Sequence, residues 1–514
     1  MCGACEDRGV TLELSHDRID LLREALLAAN YTADGVLELL GPEAHAALGR
    51  GEPEPAIRAT AEAGTLETLI RVFLLGDPVD TDSAERALAP LPLAEAAAAG
   101  IVVVEGNSAR AGLDIRPHAA AEESWWVVSD LDAEIRSPSD PVTEEHVLGV
   151  GQASMSLVQA TPKRSAGSVL DLGTGCGVQA LHASARAERV TATDVSERAR
   201  ALAAATFRLN RVDVELHGGD WFDPVVGSRF DQVVCNPPFV VGPARTDFVY
   251  RDSGLPGDQA SALVVRRTPE LLNEGGTGHL LASWLHRENE DWRDRVASWI
   301  DSPDVDAWFV QRDIAEPALY VGTWLRDAGI DPRSELGRRK SAEWLDWFAD
   351  NDVIGVGFGF VTLRRTHGER GQTVCEDLRQ SFDAPLGEEV DGWLRRLDWL
   401  RARPSAEGLL ESTLVTAPTL VLEQVSSHGS EGWAEFVHRL HRTDGPGWQH
   451  EVDEVGVRLI AGCQGALPVD ELLELLAAAY GADSTELTRS AEPVLRELIQ
   501  HGMLLPAEWQ ESRG

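Results

Sequence analysis

Long apolar runs are absent from this sequence, and cysteine is scarce. No apolar run of about 18 or more residues occurs, so we expect no membrane-spanning helix and no membrane contact. Residues 1–8 carry acids and cysteines instead of a basic end followed by an apolar stretch, which argues against a secretory signal. Six cysteines in 514 residues do not make a disulfide framework. Together these absences predict a cytoplasmic protein.

Cys2 and Cys5 form a CxxC pair at the start of the sequence. No second pair stands at the spacing of a zinc site, and Cys375 and Cys463 stand alone. We therefore expect reduced thiols and no bound metal.

Positive charge is in short supply. Forty-six basic residues face 84 acidic ones, which gives a formal net charge of -38, and only Lys163 and Lys340 are lysines. Because neutralised phosphates supply most non-specific affinity for nucleic acids, this balance excludes a general nucleic-acid binder. It leaves room for a local basic patch.

The length predicts more than one domain, since single cores stop growing near about 250–300 residues. Residues 1–123 show short helices and then a hairpin around Gly106-Asn107-Ser108, a mainly helical, winged-helix-like order. Residues 371–514 also look helical and winged-helix-like. The stretch 91–99, before the hairpin, has no Arg or Lys for DNA contacts, which favours a docking or substrate-presenting role.

Residues 124–370 have the alternating pattern of a layered α/β domain. Helical stretches separate the β-like runs, which lie at 168–172, 189–194, 212–216, 230–235, 278–284, 308–311 and 356–363.

A glycine-rich turn follows the first of these strands. Its sequence is Asp171-Leu172-Gly173-Thr174-Gly175-Cys176-Gly177, and a helix begins directly after it. Glycines let the backbone approach a ligand closely, and the helix N-terminus directs free N–H groups toward it. The turn alone is compatible with NAD, FAD or S-adenosylmethionine.

Carboxylates at two further strand ends indicate which part of such a ligand the sheet binds. Asp194 ends the second strand, where nucleoside-binding sheets place an acid that accepts ribose hydroxyls. Asp220 follows the third strand and can accept from an adenine amine, while Trp221 or Phe222 can lie against the adenine ring. In this order they predict an adenosine site at the carboxyl ends of the strands.

The tetrapeptide Asn236-Pro237-Pro238-Phe239 ends the fourth strand. Its prolines fix the backbone and remove two amide donors, which leaves the Asn236 side-chain carbonyl, the Pro237 carbonyl and a phenyl ring. Two acceptors and a flat apolar face suit a planar amino group, whose hydrogens the acceptors hold while its plane stacks on the ring. Orientation against an electrophilic methyl group would then activate the nitrogen.

This combination of motifs resembles the class I S-adenosylmethionine-dependent methyltransferases that methylate amino groups, within the small-domain methyltransferase superfamily. The resemblance implies a seven-stranded, Rossmann-like α/β sheet and S-adenosylmethionine as the cofactor. It implies that residues 150–157 help to enclose the cofactor. The cofactor-binding residues it implies are Asp171, Gly173, Thr174, Gly175, Gly177, Asp194, Asp220 and Trp221, and the catalytic ones are Asn236, Pro237, Pro238 and Phe239.

The tetrapeptide is shared by families with different acceptors: release-factor glutamine N5-methyltransferases, guanine-N2 methyltransferases of ribosomal RNA, and adenine-N6 methyltransferases. With the Gly- and Asp-rich loop at 250–258, the sequence looks most like the eukaryotic and archaeal release-factor enzymes. The whole chain also resembles an actinobacterial group of methyltransferases with similar flanking helical domains.

Three functions remain open. The leading one is methylation of a protein glutamine, with a release factor as the model partner, because an acidic surface repels phosphate but can meet a neutral or basic protein. The second is methylation of a nucleobase in ribosomal RNA, transfer RNA or DNA. The third is a catalytically degenerate scaffold, against which the intact tetrapeptide counts. Product, oligomeric state and the roles of the flanks stay open.

Overall fold

The computed structural model describes residues 12–62, 64–120, 123–132, 135–136, 143–244, 252–380, 385–430 and 432–511. Cys2, Cys5 and residues 250–251 of the predicted loop lie outside these ranges. The chain forms two compact units, one of Met1–Val158 with Arg164–Glu376 and the other of Gln159–Lys163 with Asp377–Gly514. Over the described ranges, none of the helices is long and apolar enough to cross a membrane.

The first unit begins with a mainly helical part and two antiparallel hairpins. The hairpin predicted around residue 106 is present, and its strands join a third one in the order β1-β3-β2. The elements are α1 (His16–Ala28), α2 (Ala33–Leu48), α3 (Glu54–Ala59), α4 (Thr65–Phe73), β1 (Val79–Asp80), α5 (Thr81–Leu88), α6 (Leu93–Ala98), β2 (Val102–Glu105), β3 (Ser108–Ala111), β4 (Asp114–Ala120) and β5 (Glu123–Ser129).

An α/β layer completes this unit. Its elements are α7 (Gln152–Ala160), β6 (Ala166–Leu172), α8 (Val178–Ser184), β7 (Ala187–Asp194), α9 (Glu197–Asn210), β8 (Glu215–Gly218), β9 (Phe230–Cys235), α10 (Gln259–Arg267), β10 (Leu272–Arg287), α11 (Trp292–Ala297), β11 (Val305–Ala315), α12 (Pro317–Asp327), α13 (Glu335–Asp350), β12 (Val353–Arg365) and β13 (Thr373–Asp377), with short 3-10 turns at Asp223–Val225 and Thr268–Leu271.

The main sheet is mixed and has the order β13-β11-β12-β10-β9-β6-β7-β8. Neighbours from β10 to β8 run parallel, whereas β12 is antiparallel to both β10 and β11. Eight strands correct the predicted seven. The extra strand, β13, is a short and half-buried stretch at the sheet edge, so it has no apolar period that sequence reasoning could detect. It also lies beyond residue 370, the predicted end of this domain.

The N-terminal part shares a hydrophobic core with the sheet layer. Buried Leu22 of α1 belongs to the same cluster as Leu202 and Leu209 of α9. The β4–β5 hairpin is fixed to α9 as well, because Trp126 and Asn210 exchange hydrogen bonds of 2.9 and 2.7 Å. The predicted boundary at residue 123 falls at the start of β5, inside this hairpin.

The second unit combines helices with two three-stranded sheets, whereas a mainly helical, winged-helix-like domain was predicted for residues 371–514. Its strands β15 and β16 form a long hairpin, and β15 is largely exposed, so the apolar alternation of a half-buried strand is weak there. The elements are α14 (Leu386–Arg401), α15 (Ala406–Leu410), β14 (Thr413–Thr416), β15 (Leu420–Gly429), β16 (Gly432–Arg442), β17 (Gln449–Val452), α16 (Glu454–Gly462), β18 (Gln464–Pro468), α17 (Val469–Tyr480), α18 (Ser484–Gln500), β19 (Leu504–Pro506) and α19 (Glu508–Glu511).

Three possible metal ligands also meet in the second unit, where none was expected. Donor atoms of His450, Glu497 and His501 all lie within 4.8 Å of one another. The imidazole atoms His450 Nε2 and His501 Nδ1 are 2.7 Å apart. That is hydrogen-bond distance and is shorter than the separation of about 3.3 Å that two histidines keep around a tetrahedral zinc ion. The two imidazoles therefore share a histidine–histidine hydrogen bond.

Candidate active site

The carboxyl ends of four parallel strands bring the sequence motifs to one edge of the sheet. Leu172, at the end of β6, pairs with Thr193 of β7 and with Cys235 of β9. Asp194 pairs with Gly218, the last residue of β8. Neighbouring strands lie about 4.8 Å apart, so the edge from β8 to β9 is about 15 Å long. A ligand lying along it would meet all four motifs.

The glycines of the turn after β6 serve two different purposes. Gly173, Gly175 and Gly177 have positive φ angles of 77°, 56° and 88°. A Cβ added at Gly173 or Gly175 would meet nothing within 4 Å, whereas one at Gly177 would lie 2.7 Å from Cε1 of Phe207. The first two glycines therefore leave open space beside the backbone, and the third permits close packing of the turn against α9.

Asp171 is buried beneath the turn. Its Oδ2 accepts hydrogen bonds from Thr174 Oγ1 at 2.6 Å and from the Ala180 N–H at 3.0 Å. Its Oδ1 is also buried and has no hydrogen-bond partner among the residues that the structure describes. Burial raises the pKa of Asp171 to about 7, against the two hydrogen bonds, and the nearby Asp194 adds to the rise. An unsatisfied carboxylate oxygen beside an open turn fits a ligand with a hydrogen-bond donor.

Asp194 connects the turn to the next helix. Its Oδ2 accepts the Gly175 N–H and its Oδ1 accepts the Ser196 N–H, both at 2.9 Å. Burial raises the pKa of this carboxyl, while the two backbone hydrogen bonds oppose the rise. A carboxylate has about four acceptor positions, so Asp194 keeps capacity for further donors such as ribose hydroxyls.

The structure separates the two rings that were considered for the adenine. Phe222 is only 4% exposed, packs in the core and carries the Arg267 guanidinium 5.1 Å from its ring centroid. Trp221 is half-buried and has a positive φ of 42°. Asp220 beside it is exposed. Trp221 and Asp220 therefore remain the candidates at the β8 end.

The tetrapeptide continues from β9 with Asn236 half-buried, Pro237 buried, and Pro238 and Phe239 half-buried. The Phe239 carbonyl accepts a hydrogen bond of 2.7 Å from Ser283 Oγ, a buried hydroxyl on β10. These contacts fix the backbone from which the Asn236 side chain projects.

Three supporting residues escaped sequence reasoning. Besides Ser283, the hydroxyl of Tyr320 on α12 accepts the Val241 N–H at 2.6 Å. Gln179 on α8 donates to the Ser154 carbonyl at 2.7 Å and thereby ties α7, within the predicted enclosing stretch 150–157, to the helix after the turn. Each lies far along the chain from the group it holds or carries no motif, so no sequence signal identified it.

The two cysteines inside the motifs are buried thiols. Burial raises the pKa of Cys176 to about 12 and holds that of Cys235 well above its usual value. Both are therefore protonated near neutral pH, and neither offers a thiolate nucleophile.

Comparison with known proteins agrees with this geometry. Residues 148–252 match the model described as Methyltransferase small domain. The match covers the turn, Asp194, Asp220 and the tetrapeptide. Residues 28–112 and 391–506 match two models described as Domain of unknown function (DUF7059) and Domain of unknown function (DUF7782).

Curated relatives cover a smaller part of the chain. The ribosomal RNA small subunit methyltransferase C of Salmonella choleraesuis (strain SC-B67) is 30% identical over 163 residues, which are 31% of this chain and 44% of that protein. The protein of the same name from Salmonella typhi has the same identity and coverage. This chain spans less than half of the length of these relatives.

Two solved structures align loosely with less than half of this chain. The YcgJ protein from Bacillus subtilis gives a TM-score of 0.29 at 13% identity, over 42% of this chain and 99% of that one. A methyltransferase from Pyrococcus furiosus gives a TM-score of 0.26 at 14% identity, over 46% and 89%.

Proposed function

We propose that this chain transfers a methyl group from S-adenosylmethionine to a planar nitrogen. The observation that carries the proposal is the pairing of Leu172 with Cys235. Because these residues end adjacent parallel strands, Gly173 and Asn236 follow them side by side. A cofactor held at the glycine turn and a nitrogen held by Asn236 then meet at one place.

The residues at this edge fit the cofactor. Open space at Gly173 and Gly175 admits a ligand to the backbone, and the unpaired Oδ1 of Asp171 awaits a donor. Asp194 would accept the ribose hydroxyls, and Asp220 with Trp221 would hold the adenine. When bound, S-adenosylmethionine supplies an electrophilic methyl group on a sulfonium.

The chain's part in the reaction is to orient the acceptor. The Asn236 side-chain carbonyl and the Pro237 carbonyl accept hydrogen bonds from the two hydrogens of a planar amino group, and Phe239 lies against its plane. Holding the nitrogen in line lowers the entropic part of the barrier. The Ser283 hydrogen bond to the Phe239 carbonyl keeps this backbone in place.

Two acceptors present such a nitrogen, a nucleobase and a glutamine side chain. We take the nucleobase first, because the matched relatives are named ribosomal RNA methyltransferases. A release-factor-type glutamine is the second candidate, since the net charge of -38 favours a neutral or basic protein surface over phosphate.

Transfer of labelled methyl groups tests the proposal. The purified enzyme, labelled S-adenosylmethionine and an extract from cells lacking the enzyme should yield labelled macromolecule in a single turnover. We expect nuclease to release the label if the acceptor is a base and protease to release it if the acceptor is glutamine.

A matched pair of asparagine variants completes the test. Asn236→Ala should slow transfer by about 100-fold or more, the usual scale for losing one positioned polar group, without changing cofactor affinity. Asn273→Ala removes an asparagine at the opposite end of the sheet, where it bonds Asp231, and should transfer at the wild-type rate. Wild-type transfer by Asn236→Ala, or no labelled macromolecule with the wild type, contradicts the proposal.

A further inference from the structure

A cavity of about 630 Å³ lies within the second unit. Its walls come from α14, the turn between β14 and β15, the loop after β16 and the segment around β19. The sequence motifs of the first unit contribute none of the residues that line it. Because ligand pockets usually measure about 300–1,000 Å³, this cavity has the size of a separate site for a small molecule.

Two arginines of the cavity wall are fixed by one buried glutamate. Glu389, which is 6% exposed, contacts Arg396 through Oε1 and Arg442 Nη1 through Oε2, the latter at 3.0 Å. Arg396 also donates through Nε to the Gln500 carbonyl, and Arg442 through Nη1 to the His501 carbonyl, both at 3.0 Å. These contacts fix the orientation of both guanidinium groups, and Glu389 neutralises one of their two charges.

Each of these arginines keeps a donor beside a glycine. Among the described residues, none accepts a hydrogen bond from Nη1 of Arg396 or from Nη2 of Arg442. A Cβ added at Gly392 or Gly502 would lie 2.8 or 3.1 Å from Nη1 of Arg396, and one at Gly445 would lie 3.5 Å from Nη2 of Arg442. All three glycines line the cavity, so both nitrogens are accessible donors for a carboxylate.

A carboxylate with a spare acceptor lies beside the second guanidinium. Asp444 accepts hydrogen bonds from Arg442 Nε at 2.8 Å and from Thr419 Oγ1 at 2.6 Å, both through Oδ1, and its Oδ2 accepts none from the described residues. Burial raises the pKa of Asp444, but the hydrogen bonds from Arg442 and Thr419 outweigh it and hold the pKa below its usual value. The carboxylate is therefore ionised near neutral pH. Covalent geometry then keeps Arg442 Nη2 and Asp444 Oδ2 at most about 7 Å apart.

The lining as a whole carries both signs of charge and an apolar part. Three arginines and four acidic residues line the cavity, so its charges nearly balance. Such a lining favours a ligand that carries both charges over a simple anion or a simple cation. Apolar wall is added by Pro418, Leu505 and Pro506, and by Trp509, whose ring centroid lies 4.1 Å from the Arg395 guanidinium.

We propose that this cavity binds a free α-amino acid with an apolar side chain. The amino acid's carboxylate accepts from the free nitrogens of Arg396 and Arg442, and its ammonium donates to Asp444 Oδ2. An ammonium and a carboxylate on one carbon, each reaching through a hydrogen bond of about 2.9 Å, span the distance between these groups. The side chain lies against Leu505 and the neighbouring prolines, where it leaves water. The inference concerns the second unit alone and does not rest on methyl transfer.

Titration calorimetry with the full-length protein tests the ligand class. S-adenosylmethionine is present at saturation, so that the proposed cofactor site is filled. The probes are L-valine, L-leucine, L-isoleucine, L-methionine, L-phenylalanine and L-tryptophan, one at a time. At least one should bind saturably with one molecule per chain, and glycine, which has no side chain, should bind more weakly. No saturable binding of any of the six at about 10 mM, ten times a millimolar Kd, overturns the inference.

Blocked derivatives of the tightest-binding amino acid test the two charges separately. The amide lacks the carboxylate, and the N-acetyl derivative lacks the ammonium. Each should bind about 10-fold or more weakly, the usual effect of losing a hydrogen bond to a charged group. Undiminished binding of the N-acetyl derivative would show a site for simple anions, and undiminished binding of the amide a site for simple cations. Either result overturns the inference. The dipeptide of the same residue should also bind more weakly, and tighter binding of it would show a peptide site instead.

Two pairs of variants place the ligand in the cavity. Asp444→Asn removes the charge that holds the ammonium but keeps an acceptor for its two neighbours, so affinity for the amino acid should fall about 10-fold or more. Glu407→Gln makes the same change in charge at an exposed position of α15 and should bind like the wild type. Leu505→Trp fills part of the cavity and should weaken binding, whereas Leu422→Trp on the exposed strand β15 should not.

Unaltered thermal unfolding and unaltered S-adenosylmethionine affinity establish that each variant is folded. Equal amino-acid affinity of Asp444→Asn and Glu407→Gln overturns the placement of the ammonium, and with it the inference. Equal affinity of the two tryptophan variants shows that the amino acid binds outside the cavity and overturns the inference as well. Because binding is measured without a methyl acceptor, failure of the proposed reaction leaves this inference standing.

Discussion

A substitution at Asp194 tests the proposed cofactor site, because this residue both fixes the glycine turn by a hydrogen bond and lies at the sheet edge where the cofactor would bind. Replacing it with alanine removes the acceptor of the Gly175 and Ser196 N–H groups. It also removes the carboxylate that would accept the ribose hydroxyls. The substitution should therefore lower both the free energy of unfolding and the affinity for S-adenosylmethionine.

The two effects have comparable size. Hydrogen bonds to a charged group contribute about 1.5–3 kcal/mol each, so losing the ribose contact should weaken binding by about 10- to 150-fold. Water can reach the half-buried site of Asp194 and partly replace the carboxylate, so the free energy of unfolding should fall by about 1–3 kcal/mol.

Asp231→Ala is the matched control. Asp231 accepts the Ser168 N–H at 2.8 Å and the Asn273 amide at 2.8 Å, but it lies at the amino ends of β6 and β9, away from the motifs. Titration calorimetry gives the affinity of both variants, and denaturant unfolding gives their stability. We expect similar losses of stability and a loss of affinity in Asp194→Ala alone. Equal cofactor affinity of the two variants would refute the assignment of Asp194.

Three further predictions concern pH, the turn and the loop. Asp171 has a folded pKa of about 7, above its unfolded value of about 3.9, so the folded state holds an extra proton between these pH values and stability falls as pH rises through that window. Asp171→Asn should reduce this fall by at most about 4 kcal/mol, measured by denaturant unfolding from pH 4 to 8. An unchanged profile of stability against pH would contradict the raised pKa. Gly177→Ala should destabilise the protein more than Gly173→Ala. Both variants incur the cost of a positive φ, about 1–2 kcal/mol, but only the new Cβ at position 177 meets a phenyl ring, at 2.7 Å. Equal midpoints of thermal unfolding would disprove this difference. Tyr320→Phe should lower the free energy of unfolding by about 1–3 kcal/mol, because it leaves the buried Val241 N–H without its acceptor, and it should slow methyl transfer. Tyr31→Phe removes another buried hydroxyl and should affect stability alone. Equal transfer rates of the two variants would show that the Tyr320 contact does not position the loop.

Sequence reasoning located the sheet edge because its motifs follow strands. Asp171, Asp194 and Asn236 each stand at or just beyond a β-like run, and parallel strands bring such ends together. Their placement at one edge could therefore be predicted, while their roles stay predictions. The sequence prediction was less accurate for β8, which was expected at 212–216 and lies at Glu215–Gly218, because a short, mostly exposed strand has a weak apolar signal.

Contacts between distant segments could not be predicted. Ser283 and Tyr320 hold the tetrapeptide loop from 44 and 79 residues away, through single hydroxyl groups. The pocket lined by Trp324 and Trp344 forms only where α12 and α13 lie against residues 240–243. Single polar atoms and loop closures of this kind leave no period or spacing in a sequence.

The shared core of the N-terminal part and α9 limits how this protein can be divided or recombined. A chain starting after β5 would present Leu202 and Leu209 of α9, which are fully buried here, to water. Newly uncovered apolar faces of this kind promote aggregation. The α/β layer is therefore not an interchangeable module, because a swap of the first 129 residues for another domain would have to rebuild that face as well.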